Sequence, residues 1–172
     1  MPFTSSVLPV SRTWLAKKAL DIGADHILWI DSDMVFPKDT IQIFRSHGKP
    51  VIAANCIQKT PPFRTNSRSF SFEQVYTDQN SHGLQKVDLI GTGLCWTDTW
   101  VFQKIKKPWF PIDYSHEEDL YYGEDYGFSK KCHEADIPLY VDHDLSKHIH
   151  HLGQQPFNVL NARELQAQLP EE

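Results

Sequence analysis

Two acidic pairs and a run of histidines carry the chemistry open to this chain. Asp31, Ser32 and Asp33 set two carboxylates one residue apart, directly after the apolar run His26, Ile27, Leu28, Trp29 and Ile30. Carboxylate oxygens at this spacing suit a hard divalent cation such as Mg2+ or Mn2+. The same triplet is also good turn chemistry after a buried strand. Glu124 and Asp125 follow Gly123 and open a helical stretch to about Ala135. Acids in a first turn are favoured by the helix dipole alone, and they also stand where acid-base work could be done. His143, His148, His150 and His151 crowd one segment near the C-terminus. One of them can supply a third metal ligand, since neutral imidazole suits Mn2+ better than Mg2+.

These groups need rigid elements to hold them. Ser11 predicts a helix cap, with Trp14, Leu15, Ala19 and Ile22 at helical spacing and Gly23 as the stop. The β-branched and aromatic run at 26–30 predicts a stiff strand that delivers Asp31 and Asp33 to the end of a sheet. Pro37 opens a second helix striped by Ile41, Ile43 and Phe44 and closed by Gly48, and residues 50–54 read as a second buried strand. Helix-strand-helix-strand at this spacing predicts a parallel α/β core with crossover helices.

The middle of the chain differs. Residues 57–69 hold Lys59, Pro61, Pro62, Arg64 and Arg68 without periodicity and read as a mobile basic loop. Strands at 69–76 and 85–90 predict a hairpin around a polar turn at 78–83. Gly91 and Gly93 allow a backbone to approach a ligand closely, although the segment matches neither a dinucleotide fingerprint nor a P-loop. A helix capped near Thr97 or Asp98 follows, then the 124–135 helix with Phe128 and Cys132 turned inward, and a strand at 138–142. Residues 154–172 predict a short helical tail through Val159, Leu160, Arg163, Leu165 and Leu169, whose apolar residues cover the core or else meet a second subunit, the core being the commoner arrangement.

Composition bounds the rest. A chain of 172 residues, 40% hydrophobic and 23% charged, predicts one domain over 1–172. A formal charge of -5 and a pI near 6.0 lack the electrostatic footprint of nucleic-acid binding. Cys56, Cys95 and Cys132 are odd in number and without CxxC spacing, so they read as reduced thiols. No segment approaches the roughly 18 apolar residues of a membrane span, and no signal pattern opens the chain. The expectation is a soluble, cytoplasmic protein.

In this order the elements resemble the nucleotide-sugar glycosyltransferases of the GT-A fold, of the glycosyltransferase family 2-like kind. The matching phrases are Ser11-Arg12, Leu28 to Met34, Gly91-Thr92-Gly93, Pro108-Trp109-Phe110, Gly123 to Phe128 and His151-Leu152-Gly153. The resemblance implies an α/β, GT-A-like three-layer sandwich with a mostly parallel central sheet. That sandwich would be N-terminally shortened, because only ten residues precede Ser11. Such brevity fits a compact phage or viral enzyme acting in the host cytoplasm. Thr4, Ser5 and Ser6, or a neighbouring chain in a homo-oligomer, would complete the pocket for the nucleotide base.

Carried over residue by residue, the resemblance makes Asp33 a direct metal ligand, Asp31 a partner of ribose or metal, and His151 the C-terminal ligand, with His148 in reserve. Arg12 and Lys59 would add positive charge to the leaving diphosphate, with Ser32 in the same turn, and Gly93 and Trp96 would wall the donor sugar. Asp125 would be the general base and Glu124 its neighbour holding sugar or acceptor. The implied donor is UDP-glucose or UDP-galactose, the cofactor Mn2+ or Mg2+, and the acceptor a hydroxyl of unknown origin. Clustered Asp and His would also serve a metallophosphoesterase. Trp96, Trp100 and Trp109 could instead make the stacking surface of a non-catalytic carbohydrate-binding module.

Overall fold

The computed structural model describes residues 5–116, 119–153 and 156–161, together with 165 and 167. The chain runs α1 (Leu8–Asp21), β1 (His26–Ile30), β2 (Met34–Val35), α2 (Thr40–His47), β3 (Val51–Ala54), β4 (Leu84–Val87), β5 (Leu94–Asp98) and α3 (Trp100–Lys104). It continues through β6 (Asp113–Ser115), β7 (Leu120–Tyr122), α4 (Glu124–Glu134), β8 (Leu139–Asp142), α5 (His143–Ser146), β9 (His150–Leu152) and β10 (Pro156–Phe157). A 3-10 turn at Val159–Asn161 ends the described elements. Leu165 and Ala167 are helical, Leu165 packing against Ile57 and Val159; the rest of the expected C-terminal helix, with Leu169, lies outside the described residues.

The five-stranded sheet has the order β1-β5-β3-β8-β4. Only β3 and β8 pair in parallel; β1 with β5, β5 with β3, and β8 with β4 are antiparallel. The expected mostly parallel sheet is therefore corrected to a mixed α/β fold with a mostly antiparallel sheet. The cause is β5, which inserts between β1 and β3 and runs against both. β1, β3 and β8 still share one direction, which is why their intervening helices suggested a parallel core.

Alternate residues of each strand feed opposite faces of the sheet. Trp29, Val51, Ala53, Cys95 and Val141 meet Ala16 of α1, Phe102 of α3 and Phe128 of α4 in one cluster. Leu28, Ile52, Ala54, Leu94 and Trp96 meet Phe44 of α2 and Leu145 of α5 in another. All three cysteines are free and buried. Burial pushes the Cys56 and Cys95 thiols up to about 12 and raises that of Cys132, which makes them poor nucleophiles at neutral pH.

Local departures have local causes. α1 begins at Leu8 with a proline in its first turn, so Ser11 lies inside the helix and its hydroxyl donates to the Ser5 carbonyl at 3.1 Å. Gly23 and Gly48 follow α1 and α2 in the left-handed region, at φ 67° and 58°, as helix stops. Residues 69–76 do not form a hairpin with β4, which pairs with β8 instead; Arg68 bridges to Gln74 and Leu89. The 57–69 segment is anchored, by an Ile57–Thr65 bridge and by Asn66 Oδ1 accepting from the Cys56 amide at 3.0 Å. Among the described residues no helix is long and apolar enough to cross a membrane.

Gly127 sets α4 against the preceding loop. A Cβ there would lie 2.0 Å from the Pro111 carbonyl oxygen, a backbone atom that cannot swing aside. Gly127→Ala is expected to destabilise the fold by about 3 kcal/mol, the upper end of overpacking, read as a lower midpoint in urea unfolding.

Candidate active site

β1 ends at Ile30 and hands Asp31 to the mouth of the sheet, where the Asp31 amide donates to the Gly93 carbonyl at 2.8 Å. β2 then pairs antiparallel with β9, placing Met34 opposite His151, and the Leu152 amide donates to the Asp33 carbonyl at 2.7 Å. This small sheet is what brings the C-terminal histidine to Asp33. His151 Nε2 lies 3.4 Å from Asp33 Oδ2, and Lys59 donates to the same oxygen and to the Leu152 carbonyl. His148 and His150 face a different groove, beside His47 and Asp142, and His143 is buried against Thr77 and Gln85.

The other predicted ligand turns elsewhere. Asp31 Oδ1 accepts from Arg12 at 3.1 Å, and Arg12 Nε donates to Glu124 Oε1 at 3.4 Å. Arg12 is only 5% exposed, and its guanidinium also lies 5.7 Å from the Trp29 ring centroid. It ties α1, the end of β1 and the start of α4 together, a positioning task that sequence spacing did not reveal. Among the described residues, no three His, Cys, Asp or Glu side chains gather to hold a metal by themselves. Asp33 and His151 nevertheless form a coherent pair. His151 Nδ1 donates to the Ile57 carbonyl at 3.0 Å, which fixes the ring with Nε2 turned toward Asp33 Oδ2.

α4 supplies the second acidic pair. Asp125 Oδ1 accepts from the Tyr126 amide at 2.9 Å and would meet a Cβ on Gly123 at 3.1 Å. Burial, and then the charge of Glu124, raise the Asp125 carboxyl above the ordinary 3.8, against the lowering effects of that amide and of Arg12. Ser129 on the next turn donates to the Asp125 carbonyl at 2.8 Å and accepts from the Ile90 amide at 3.2 Å. The start of α4 is thereby tied to the segment after β4 that leads into Gly91.

A cavity of about 230 Å³ gathers Arg12, Asp31, Gly93, Glu124, Asp125 and His151 in one lining. A Cβ on Gly93 would stand 3.2 Å from Asp31 Oδ2, so glycine there leaves the carboxylate room. Asp33 and Lys59 sit beside this cavity through His151, and Ser32 is exposed in the turn between the two acids. Trp96 does not line it: the ring is buried in the α2-side cluster, 4.5 Å from His26. The expected donor wall at Trp96 is thus a core anchor. Trp109 is buried as well and only Trp100 is exposed, so the three tryptophans share no open stacking face.

Thr92 went unmarked between its two glycines. It is 2% exposed, its hydroxyl has no hydrogen-bond partner among the described residues, and it lines the cavity. Thr92→Val is expected to hold or raise the melting temperature while weakening ligand binding about three- to tenfold, because the hydroxyl satisfies nothing until a ligand arrives. Melting and titration calorimetry read the two effects separately.

Fold and site define a mixed α/β protein with an acidic, histidine-flanked cleft at the end of its sheet. Residues 5–90, half of the chain, match the model of the Anp1 family, and the chain belongs to that family. This overturns the resemblance to family 2-like glycosyltransferases, since the family match is to Anp1 and none is to family 2. No curated protein matches the chain. Among solved structures, A197 from STIV is similar with a TM-score of 0.61 at 17% identity, over 87% of this chain and 70% of that one. At such identity the likeness is one of fold alone.

Proposed function

We propose that the protein is a metal-dependent glycosyltransferase that moves a sugar from a uridine diphosphate sugar to an acceptor hydroxyl. The observation that carries this reading is a single cavity lined at once by Asp31, His151 and the half-buried Asp125. The finer fold that goes with it is a GT-A-like three-layer sandwich, which the helices on both faces of the sheet favour.

Asp33 and His151 would hold the cation, Mn2+ or Mg2+, an oxygen and imidazole donor set that suits either. When bound, the cation offsets charge on the departing nucleoside diphosphate. The protein's own groups do the rest. Asp125 accepts the proton of the acceptor hydroxyl as its oxygen bonds to the anomeric carbon. The anomeric carbon–oxygen bond breaks, and its electron pair leaves on the diphosphate. Arg12 holds Glu124 and Asp31 in place around the reacting sugar, with the Thr92 hydroxyl and the Gly93 backbone at the wall.

The test is calorimetric titration with UDP, UDP-glucose and UDP-galactose, each with Mn2+ and with chelator. Binding that needs both metal and uridine diphosphate is the expected result. Absence of binding in every arm would overturn the reading.

A further inference from the structure

A second cavity, of about 350 Å³, shares Gln58, Asn66 and Asp125 with the first and extends away over Arg64, Arg68, Phe72, Tyr122 and Tyr126. Three of these residues form an aromatic wall. The Phe72 ring stacks 5.2 Å from Tyr122 at 13° and 6.0 Å from Tyr126 at 9°, and the two tyrosines stack at 4.4 Å. Phe72 has φ 60°, a left-handed conformation that is strained for a non-glycine residue and persists where the surroundings enforce it. Here it turns the ring onto the two tyrosines. Strain of this kind gathers at ligand clamps.

The charge of this cavity runs against that of the whole protein, whose formal net charge is -5. Neither Arg64 nor Arg68 forms an ion pair with any described carboxylate; the Arg68 side chain reaches only the Thr65 carbonyl, at 3.5 Å. Burial, and next the charge of Arg64, depress the Arg68 guanidinium, with Asp125 and Tyr76 opposing. Two guanidiniums lining one cavity, Arg68 partly buried and Arg64 exposed, suit an anion between them. Flat aromatic faces beside them suit the apolar face of a sugar ring.

We infer that this second cavity binds the acceptor, and that the acceptor is an anionic saccharide. Its ring lies along Phe72, Tyr122 and Tyr126, and its phosphate or carboxylate sits between Arg64 and Arg68. A hydroxyl at the other end of such a molecule reaches Asp125, where the two cavities meet. The word acceptor rests on the proposed transferase activity; the recognition of an anionic sugar rests on this cavity alone.

The experiment titrates the full chain, in chelator, with glucose 6-phosphate, glucuronate, glucose, inorganic phosphate and UDP, following tyrosine ring resonances by NMR. Glucose 6-phosphate or glucuronate is expected to bind at least about tenfold more tightly than glucose or inorganic phosphate, and the tighter of the two identifies the anionic group. The Arg64→Gln, Arg68→Gln double variant should lose about tenfold or more in that affinity while keeping UDP binding in Mn2+. Phe72→Gly, which relieves the backbone strain instead of adding to it, should bind glucose 6-phosphate no better than inorganic phosphate. Unchanged affinity in the arginine variant, equal binding of glucose, or displacement of the sugar by metal-free UDP would each overturn the inference. Loss of Mn2+-dependent UDP binding with anionic sugars still bound would remove the transferase reading and leave the cavity's chemistry standing.

Discussion

Asp125→Asn is expected to cut sugar transfer by about 10²–10⁴-fold, the usual share of a general base, while UDP-sugar binding in Mn2+ persists. The asparagine keeps an oxygen for the Tyr126 amide, now 2.9 Å away, so the geometry at the start of α4 survives. Two further readouts separate a base from a merely structural acid. The wild-type rate should fall with decreasing pH through a value above 3.8, because burial and Glu124 raise the Asp125 carboxyl and only its deprotonated form accepts a proton. Stability should move the other way. A carboxyl that holds its proton more tightly in the folded state than in the unfolded one contributes stability below the unfolded value and loses it as pH rises through the folded one. At neutral pH the charged Asp125 therefore weakens the fold. The asparagine variant should melt higher, by about 2–4 °C for each kcal/mol recovered in a domain of this size. Transfer near the wild-type rate would remove Asp125 from the mechanism.

Asp33→Asn is expected to weaken Mn2+-dependent UDP binding by about 100-fold or more, at or beyond the range for groups that only support a metal ligand. The metal-free fold should barely respond. Asp33 pairs with Lys59 in a partly exposed position, and such pairs contribute about 0.2–1 kcal/mol. Hydrogen bonding from Lys59, with His151 nearby, lowers the Asp33 carboxyl against the opposing effect of burial. That small stabilisation is present above 3.8 and fades as pH falls through the depressed value. Calorimetry of UDP with Mn2+ decides the matter; equal binding by the variant and wild type would count against Asp33 as the cation's ligand.

The fold was legible where pattern is local. Trp29, Val51 and Val141 belong to short apolar runs that became β1, β3 and β8, and Gly23 and Gly48 ended the helices they were expected to end. β5 was illegible because its first four residues are all buried, so no alternation marks it, and the two glycines ahead of it read as a turn. Missing that one strand reversed the expected sense of the sheet. In the site, the acidic pairs and His151 were visible as residue types, and the small β2–β9 sheet brings His151 to 3.4 Å from Asp33. The pairing of Arg12 with Asp31 and Glu124 was not visible, since it joins three elements far apart in the chain. The basic character of Arg64 and Arg68 was equally plain, yet nothing in local spacing announces that Phe72 stacks on tyrosines some fifty residues away.

Ser129 has a mechanical consequence. One hydroxyl joins the Asp125 carbonyl to the Ile90 amide, so the start of α4 is tied to the segment after β4 that leads into Gly91. The cleft is then built like a vice, with one jaw carrying the acid and the glycine wall together. The opposite jaw is the 57–76 stretch that bears Lys59, Arg64, Arg68 and Phe72, itself held by the Ile57–Thr65 bridge and by Arg68 backbone bonds to Leu89. Grip and chemistry are thus housed on different parts of the chain.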